Sequence, residues 1–193
     1  RMVQFPNMDD LYWGDSSYAR GNPDLTPEYG WGAECTVNAH NIFIPFSICV
    51  FTNYYTNKIQ WSSNSSGKWM PQNVASAFYL GIDVSFEKTF FSVLTVKGNV
   101  EYLHNQLLDK SNKLTYGNRI MWTPDFVGSL IVSLNAKYVF ISVESNCVGK
   151  KYISNLNTSY TDPYFLLNSS MEFQFWEHIK PYIRIENILD ADY

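Results

Sequence analysis

The sequence predicts an all-β protein, an antiparallel up-and-down β-barrel that spans a membrane. Three observations support this prediction. Apolar and polar residues alternate with a period of two in one segment after another, as in strands with two different faces. Short and long connections follow each other in turn along the chain. Aromatic residues make up 17% of the chain and charged residues also only 17%, against about a quarter charged in ordinary soluble domains.

The composition excludes two other classes of protein. The formal charge is -4, with 14 basic and 18 acidic residues, and the basic residues are scattered, so a nucleic-acid partner has no electrostatic support. No apolar run reaches about 18 residues, which excludes a transmembrane helix but not a transmembrane strand, because a strand needs only about 10 residues and hides every second one. The 193 residues fit a single domain.

The stretch G-N-P-D-L-T-P-E stands directly before the first predicted strand. Pro23 and Pro27 fix φ and keep the residues before them extended, so the stretch cannot form a helix. Gly21 and Asn22 supply a turn. We expect a rigid loop with a structural role, followed by a strand that begins near Glu28.

Eight strands are predicted after this loop, and the alternation is clearest in the segment 164–176. There the odd positions are mostly apolar, as at Phe173, and the even positions are mostly polar, as at Glu172. Four other segments alternate in the same way: 80–87, 94–102, 130–137 and 179–185. The predicted strands span about 28–38, 43–59, 74–88, 91–105, 118–136, 139–149, 164–176 and 179–188.

The connections between these strands indicate a membrane barrel. Short connections are predicted near 39–42, 89–90, 137–138 and 177–178, and long ones at 60–73, 106–117 and 150–163. In an up-and-down meander this places every long loop at one end and every tight turn at the other. Outer-membrane barrels are built this way, with short periplasmic turns and longer outside loops.

The two faces of the predicted strands differ in the same sense. The polar face carries Lys97, Glu101, Glu172 and Arg184, as a wet or plugged lumen requires, so the apolar face is expected to meet lipid. Aromatic residues near the strand ends are typical of interfacial girdles: Tyr54, Tyr55, Trp61, Trp69, Trp122 and Trp176. A soluble β-sandwich shows the same alternation and stays open as the alternative.

The chain has three cysteines, Cys35, Cys49 and Cys147. Their spacing is not that of a zinc ribbon, and their odd number does not indicate a disulfide framework. If a turn lies near 39–41, Cys35 and Cys49 fall on neighbouring strands and a disulfide between them is conceivable. The alternative is a set of isolated buried thiols.

Five motifs in order resemble the C-terminal half of the barrel in TonB-dependent outer-membrane receptors. They are R-x-x-x-F-P-N-M-D-D-L-Y-W from Arg1, G-N-P-D-L-T-P-E-Y-G-W-G-A-E, W-M-P-Q-N-V-A-S-A-F-Y-L-G-I-D, V-G-K-K-Y-I-S-N, and the closing I-E-N-I-L-D-A-D-Y. The resemblance covers essentially the whole chain. It implies that residues 1–193 are a C-terminal portion of a plugged barrel of about 22 strands, without the plug domain and truncated before the last strand.

The resemblance also implies a function. The expected protein is a receptor in the bacterial outer membrane for energy-coupled uptake of an iron-siderophore complex, haem, cobalamin or a sugar. Its implied partners are outer-membrane lipid, a small ligand such as a metal chelate or corrinoid, and an inner-membrane energy-coupling protein reached through the N-terminal plug. The alternative is a β module without transport, either a small adhesion barrel or a soluble glycan-binding sandwich.

No catalytic constellation is recognisable in the sequence, so we expect neither an enzyme nor a cofactor. His40, His104 and His178 have no carboxylate or thiol at a spacing that suggests a metal site or a triad. A ligand surface is expected in the long loops, where aromatic faces mix with polar ends. The predicted ligand-binding residues are Trp61, Lys68, Trp69, Gln72, Asn105, Gln106, Lys150, Lys151, Tyr152 and Tyr160.

Overall fold

The main feature of the fold is one antiparallel sheet of nine strands. The structure is a computed structural model that describes residues 1–64, 66–108, 113–175 and 179–192. The strands of the sheet follow each other in chain order, and a separate two-stranded hairpin is inserted before the last two of them. The elements are β1 (Met2–Gln4), α1 (Met8–Tyr12), β2 (Glu28–Ala39), β3 (Phe46–Ser63), β4 (Trp69–Phe90), β5 (Leu94–Leu107), β6 (Phe126–Ala136), β7 (Val139–Val148), β8 (Lys151–Tyr152), β9 (Tyr160–Thr161), β10 (Tyr164–Phe173) and β11 (Tyr182–Ile185).

Each of the eight predicted strands has a counterpart, so the antiparallel up-and-down meander is confirmed. The strand β2 begins at Glu28, directly after the proline-containing loop, as expected. The short elements β1, α1, β8 and β9 are additions that the alternation did not indicate, because two to five residues are too few to show a period.

Two predicted segments are wrong. The loop expected at 60–73 is much shorter, because β3 runs on to Ser63 and β4 already begins at Trp69. The strand expected from residue 118 begins only at Phe126. The preceding residues form a loop, since Trp122 has a positive φ of 61° and Pro124 lacks the N–H that a ladder needs.

The strand register separates an apolar face of the sheet from a largely polar face. Ile82 of β4 lies opposite Val50 and Tyr102 on the apolar face, whereas Asp83 lies opposite Glu101 on the polar face. On the apolar face Leu134 remains 38% exposed, although it is paired with a neighbouring strand on each side. The predicted division of faces is therefore confirmed, and the apolar face is not covered by any described part of the chain.

The same register excludes a disulfide between Cys35 and Cys49. Cys35 lies opposite Val50, while Cys49 lies opposite Thr36, so the two thiols point to opposite faces. All three cysteines are free. The expectation of buried thiols is wrong as well, because Cys35 is exposed and Cys49 and Cys147 are half-buried.

The hairpin β3–β4 extends beyond the rest of the sheet at the end that carries the long loops. β4 has 22 residues, whereas β7 and β10 have 10 each. The last residue of β4 paired with β5 is Ala77, opposite Leu107, so residues 69–76 of β4 continue past the end of β5. No helix in the described parts of the chain is long and apolar enough to cross a bilayer.

Candidate ligand-binding surface at the long-loop end

A segment that we call the strap, residues 7–27, lies along the projecting β3–β4 hairpin. It opens with α1, whose first turn is closed by Asn7: its Oδ1 accepts from the backbone N–H of Asp10 at 2.7 Å. The carboxylate of Asp10 in turn accepts a hydrogen bond of 2.9 Å from the indole N–H of Trp61. The ring of Trp61 also contacts Trp13 edge to face, with centroids 6.2 Å apart. The helix is thereby fixed on β3.

The strap then covers the free edge of β4. The backbone N–H of Trp69 donates to the carbonyl of Tyr18 at 2.8 Å, and the N–H of Arg20 donates to the carbonyl of Trp69 at 3.0 Å. Further along, Asn73 accepts from the N–H of Thr26 and donates to its carbonyl, each at 2.9 Å. An unpaired strand edge is a site for non-native pairing, so the strap satisfies the backbone of β4 where β5 has ended.

Close packing explains the glycine at position 21 of the strap. A Cβ atom at Gly21 would lie 2.6 Å from the backbone oxygen of Leu11 and from the nitrogen of Trp13. An ion pair between Asp15 and Lys68 joins the strap to the β3–β4 turn, and its hydrogen bond and charge hold the pKa of Asp15 below the ordinary value. The loop predicted to be rigid is bonded to β4 through Asn22 and Thr26.

Four predicted ligand-binding residues lie at this hairpin, but not in a long loop. Trp61, Trp69 and Gln72 are on strands, and Lys68 is in the turn. The polar ends of Trp61 and Lys68 are already engaged by Asp10 and Asp15. Sequence reasoning overlooked three exposed aromatic residues of the strap: Tyr12 is 63% exposed, Trp13 46% and Tyr18 65%. Tyr12 and Trp13 close the motif that begins at Arg1, and that motif was the signal that could have indicated them.

Two further loops at this end, residues 113–125 and 149–163, are bonded to each other. The side chain of Asn157 accepts from the N–H of Arg119 at 2.6 Å and donates to its carbonyl at 2.9 Å. Asn118 donates to the carbonyl of Asn155 at 2.9 Å, and the N–H of Trp122 donates to the carbonyl of Tyr152 at 2.7 Å. The two loops therefore form one layer.

Asn105 holds this layer to the sheet. Its side chain is fully buried, and its oxygen accepts from the N–H of Ile120 at 2.7 Å. Ile120 packs with Ala77 and Leu107 in a small hydrophobic core. Asn105 and Gln106 were predicted to lie beside a loop and bind ligand, but both are on β5 and point to opposite faces. Asn105 is thus placed as a support for the loops.

The remaining four predicted residues do lie together, at the hairpin β8–β9. The ammonium of Lys150 lies 4.7 Å from the ring centroid of Tyr152 and 5.0 Å from that of Tyr160. Lys151 lies 5.6 Å from the ring of Tyr164. A hydrogen bond to the Tyr152 hydroxyl is the main cause that raises the pKa of Lys150. The cluster presents aromatic faces and fixed positive charge, a combination suited to non-covalent binding of an anionic or aromatic ligand.

The polar face of the sheet bears acidic groups on several strands. A recess of about 300 Å³ is lined there by Glu144, Glu172 and Arg184, among others. Glu186 forms an ion pair with Arg184 at 2.9 Å. Among the described residues no group of three or more His, Cys, Asp or Glu side chains could hold a metal ion, and His178 lies outside the described residues.

Comparison with known proteins identifies what this architecture is similar to. A family model, TonB dependent receptor-like, beta-barrel, matches residues 3–188. A curated relative, the vitamin B12 transporter BtuB of Photobacterium profundum, is 28% identical over 192 residues, which is 97% of this chain and 30% of the relative.

Solved structures show the same fold. The ferric yersiniabactin uptake receptor FyuA of Yersinia pestis matches with a TM-score of 0.72 and 16% identity, over 86% of this chain and 26% of the receptor. The copper transporter OprC matches with a TM-score of 0.75 and 11% identity, over 99% of this chain and 30% of the transporter. The chain thus spans less than a third of the length of each of these proteins.

Proposed function

Because the chain belongs to the TonB-dependent receptor-like β-barrel family of the outer membrane, we propose that it forms part of a receptor for energy-coupled uptake of a scarce nutrient. The nutrient would be an iron-siderophore complex, haem, cobalamin or a sugar. Cobalamin is the first candidate, because the relative named as a vitamin B12 transporter matches over 97% of this chain. The relatives are receptors and transporters, not enzymes.

The observation that carries the proposal is the clustering of binding-type side chains at the long-loop end. The Lys150, Tyr152 and Tyr160 cluster and the exposed aromatics of the strap lie at the end that faces outside in such barrels. We propose these residues, with the predicted Trp61, Lys68, Trp69, Gln72, Gln106 and Lys151, as the outer ligand surface. Within the described residues no second large sheet covers the apolar face, which supports a barrel over a soluble sandwich.

We also propose that residues 1–193 are the C-terminal portion of the barrel, as the order of the five motifs supports. An inner-membrane energy-coupling protein would then act through a plug domain encoded upstream. Sequencing the parent gene tests this part, and we expect a plug and about 14 further strands before Arg1. An upstream region without them would leave only the adhesion barrel among the alternatives.

Uptake of labelled cyanocobalamin and of ferric siderophores by the host tests the function. Cells lacking the gene should lose both binding and uptake of one of these ligands, whereas a protonophore should abolish uptake and leave binding at the cell surface intact. The double variant Tyr152→Ala with Tyr160→Ala should weaken surface binding, and Lys113→Ala, an exposed lysine outside the cluster, should not. Uptake that is indifferent to the protonophore would contradict energy coupling.

A further inference from the structure

The tight turns at the opposite end of the sheet and the two residues that follow β10 form a row, which we call the rim: residues 40–45, 91–93, 137–138 and 174–175. Phe43 contacts Phe90 edge to face, with centroids 6.1 Å apart. The carbonyl of Val93 accepts from the N–H of Asn135 at 2.7 Å, and the N–H of Gln174 donates to the carbonyl of Tyr138 at 2.9 Å. Neighbouring turns are thus joined to one another along the edge of the apolar face.

Large aromatic side chains of the rim are exposed. Phe43 is 74% exposed, Phe91 92%, Tyr138 53% and Phe175 55%. Phe91 and Ser92 have positive φ values of 51° and 59° at turn positions that usually hold Asn or Gly. Positive φ is unfavourable for a bulky residue, so this turn keeps an exposed phenyl ring at its apex against local backbone preference.

Two lysines lie over these aromatic rings. The ammonium of Lys88 is 5.6 Å from the ring centroid of Phe43, and that of Lys137 is 4.9 Å from the ring of Tyr138. Lys88 lies opposite Val96, on the apolar face. Among the described residues, neither lysine lies within ion-pair distance of a carboxylate. Lys97, one strand away on the polar face, does have such a partner, Glu87, at 3.6 Å.

We propose that the rim binds anionic phospholipid of the periplasmic leaflet, with the lipid phosphate at Lys88 and Lys137 and the glycerol region against the exposed aromatic rings. The apolar face ends at the rim, so the rim lies where hydrocarbon gives way to headgroups. An ammonium over an aromatic face keeps N–H donors free for phosphate. Lys88 lies on the apolar face, and Lys137 lies over Tyr138, whose ring is 6.3 Å from that of Phe175. Two positive charges here that have no carboxylate partner among the described residues favour anionic over zwitterionic lipid, because surface lysines are attracted to anionic headgroups.

Native mass spectrometry of the protein extracted from the outer membrane tests this site. The protein is titrated in detergent with dioleoyl phosphatidylglycerol or dioleoyl phosphatidylcholine, and bound lipids are counted. We expect tighter binding of phosphatidylglycerol by the unmodified protein. Lys88→Gln or Lys137→Gln should weaken it about fivefold each, while phosphatidylcholine binding stays the same.

Lys97→Gln is the matched control, since it removes the same charge near the same turn but on the polar face. Phosphatidylglycerol binding should be unchanged in this variant. An equal loss in Lys97→Gln, or an unchanged lipid preference after both rim substitutions, overturns the proposal and leaves the rim to a periplasmic protein partner.

The variant that carries both Lys88→Gln and Lys137→Gln could fail to fold, and the loss of heat-modifiable migration on gels would reveal this. A second measurement then tests the site on the unmodified protein. The unmodified protein is then labelled with a photoreactive phosphatidylglycerol and digested. Labelling should concentrate in peptides that contain residues 40–45, 88–93 and 137–138. Labelling spread evenly over the apolar face would overturn the site.

Discussion

The long-loop end of the molecule buries its side chains against other parts of the chain, whereas the sheet below it leaves its apolar side chains uncovered. Ala77, Leu107 and Ile120 form a small core at the loop end and are at most 5% exposed. On the apolar face of the sheet, Leu130 and Val143 are 42% and 38% exposed in the middle of paired strands. One region is stabilised as in a water-soluble protein, and the other depends on lipid for its apolar surroundings.

This difference explains where a polar side chain has one particular hydrogen-bond partner in the protein. At the loop end buried Glu28 bonds to both Lys58 and the N–H of Ile59, and buried Asn105 bonds to the N–H of Ile120. In the sheet the backbone ladder already satisfies the amides, and polar side chains such as Glu101 line an open face. Loop geometry therefore requires particular residues, while sheet geometry requires only the alternation.

The largest effect is expected from shortening the core residue of the loop end. Ile120→Ala should lower the free energy of local opening of residues 113–125 by about 3 kcal/mol, because it leaves a cavity beside Ala77 and Leu107. Hydrogen exchange of the loop amides measures the change. Leu130→Ala on the apolar face is the matched control, and faster loop exchange in that variant would contradict the division into two regions.

The next effect concerns Glu28, which is only 2% exposed and bonds to Lys58 at 3.0 Å. Glu28→Gln should lower the free energy of local opening at the start of β2 by about 2 kcal/mol, because charge-assisted hydrogen bonds are lost. Faster amide exchange there measures the change. For Glu87→Gln, at an ion pair with both side chains about 60% exposed, we expect a change of about 0.5 kcal/mol or less. Equal effects at the two sites would show that burial does not decide their strength.

A smaller effect is expected where the two outer loops meet. Asn157→Gly keeps the positive φ of 55° without strain and removes only the amide that bonds to Arg119. The free energy of opening of the loops 113–125 and 149–163 should fall by about 1.5 kcal/mol. Limited proteolysis should then cut each loop independently of the other. Thr158→Ala, beside it, should leave the cleavage pattern unchanged, and simultaneous loosening in both variants would contradict a specific link.

The smallest effect is a pH dependence at the Lys150 cluster. Because the pKa of Lys150 is raised in the folded loop, the charged form is favoured there. Its contribution is fully present below the ordinary lysine pKa and is lost as the pH rises through the raised value. Order of residues 149–163, followed by limited proteolysis with an alkali-tolerant protease, should be constant near neutral pH and decline only in strong alkali. Lys150→Gln should remove that decline, and an unchanged alkaline profile would contradict the assignment.

Much of the sheet could be predicted because a strand with two different surroundings has a readable period. The eight predicted strands and the division between Ile82 and Asp83 followed from alternation, and the up-and-down order followed from the lengths of the connections. The errors lie where another part of the chain supplies the partner. The continuation of β4 to Trp69 is paired with β3 on one edge and bonded to Tyr18 and Arg20 on the other, about 50 residues earlier in the chain.

The candidate site was harder to predict, because residue type indicates what a side chain can bind but not what already occupies it. Lys150, Tyr152 and Tyr160 were expected at an outer loop and do cluster there. Trp61 and Lys68 have the same chemistry, yet they are bonded to Asp10 and Asp15 of the strap. Nothing local in the sequence distinguishes the two cases.

By itself the sequence determined the strand pattern, the two faces and the family, since these depend on residue type at fixed spacing along one chain. The tertiary structure decided the packing of the strap on β3–β4, the link between the outer loops through Asn157, and the burial of Asn105. These features join residues far apart in the chain. Their stability comes from excluding water at a contact between distant segments, which a local period cannot encode.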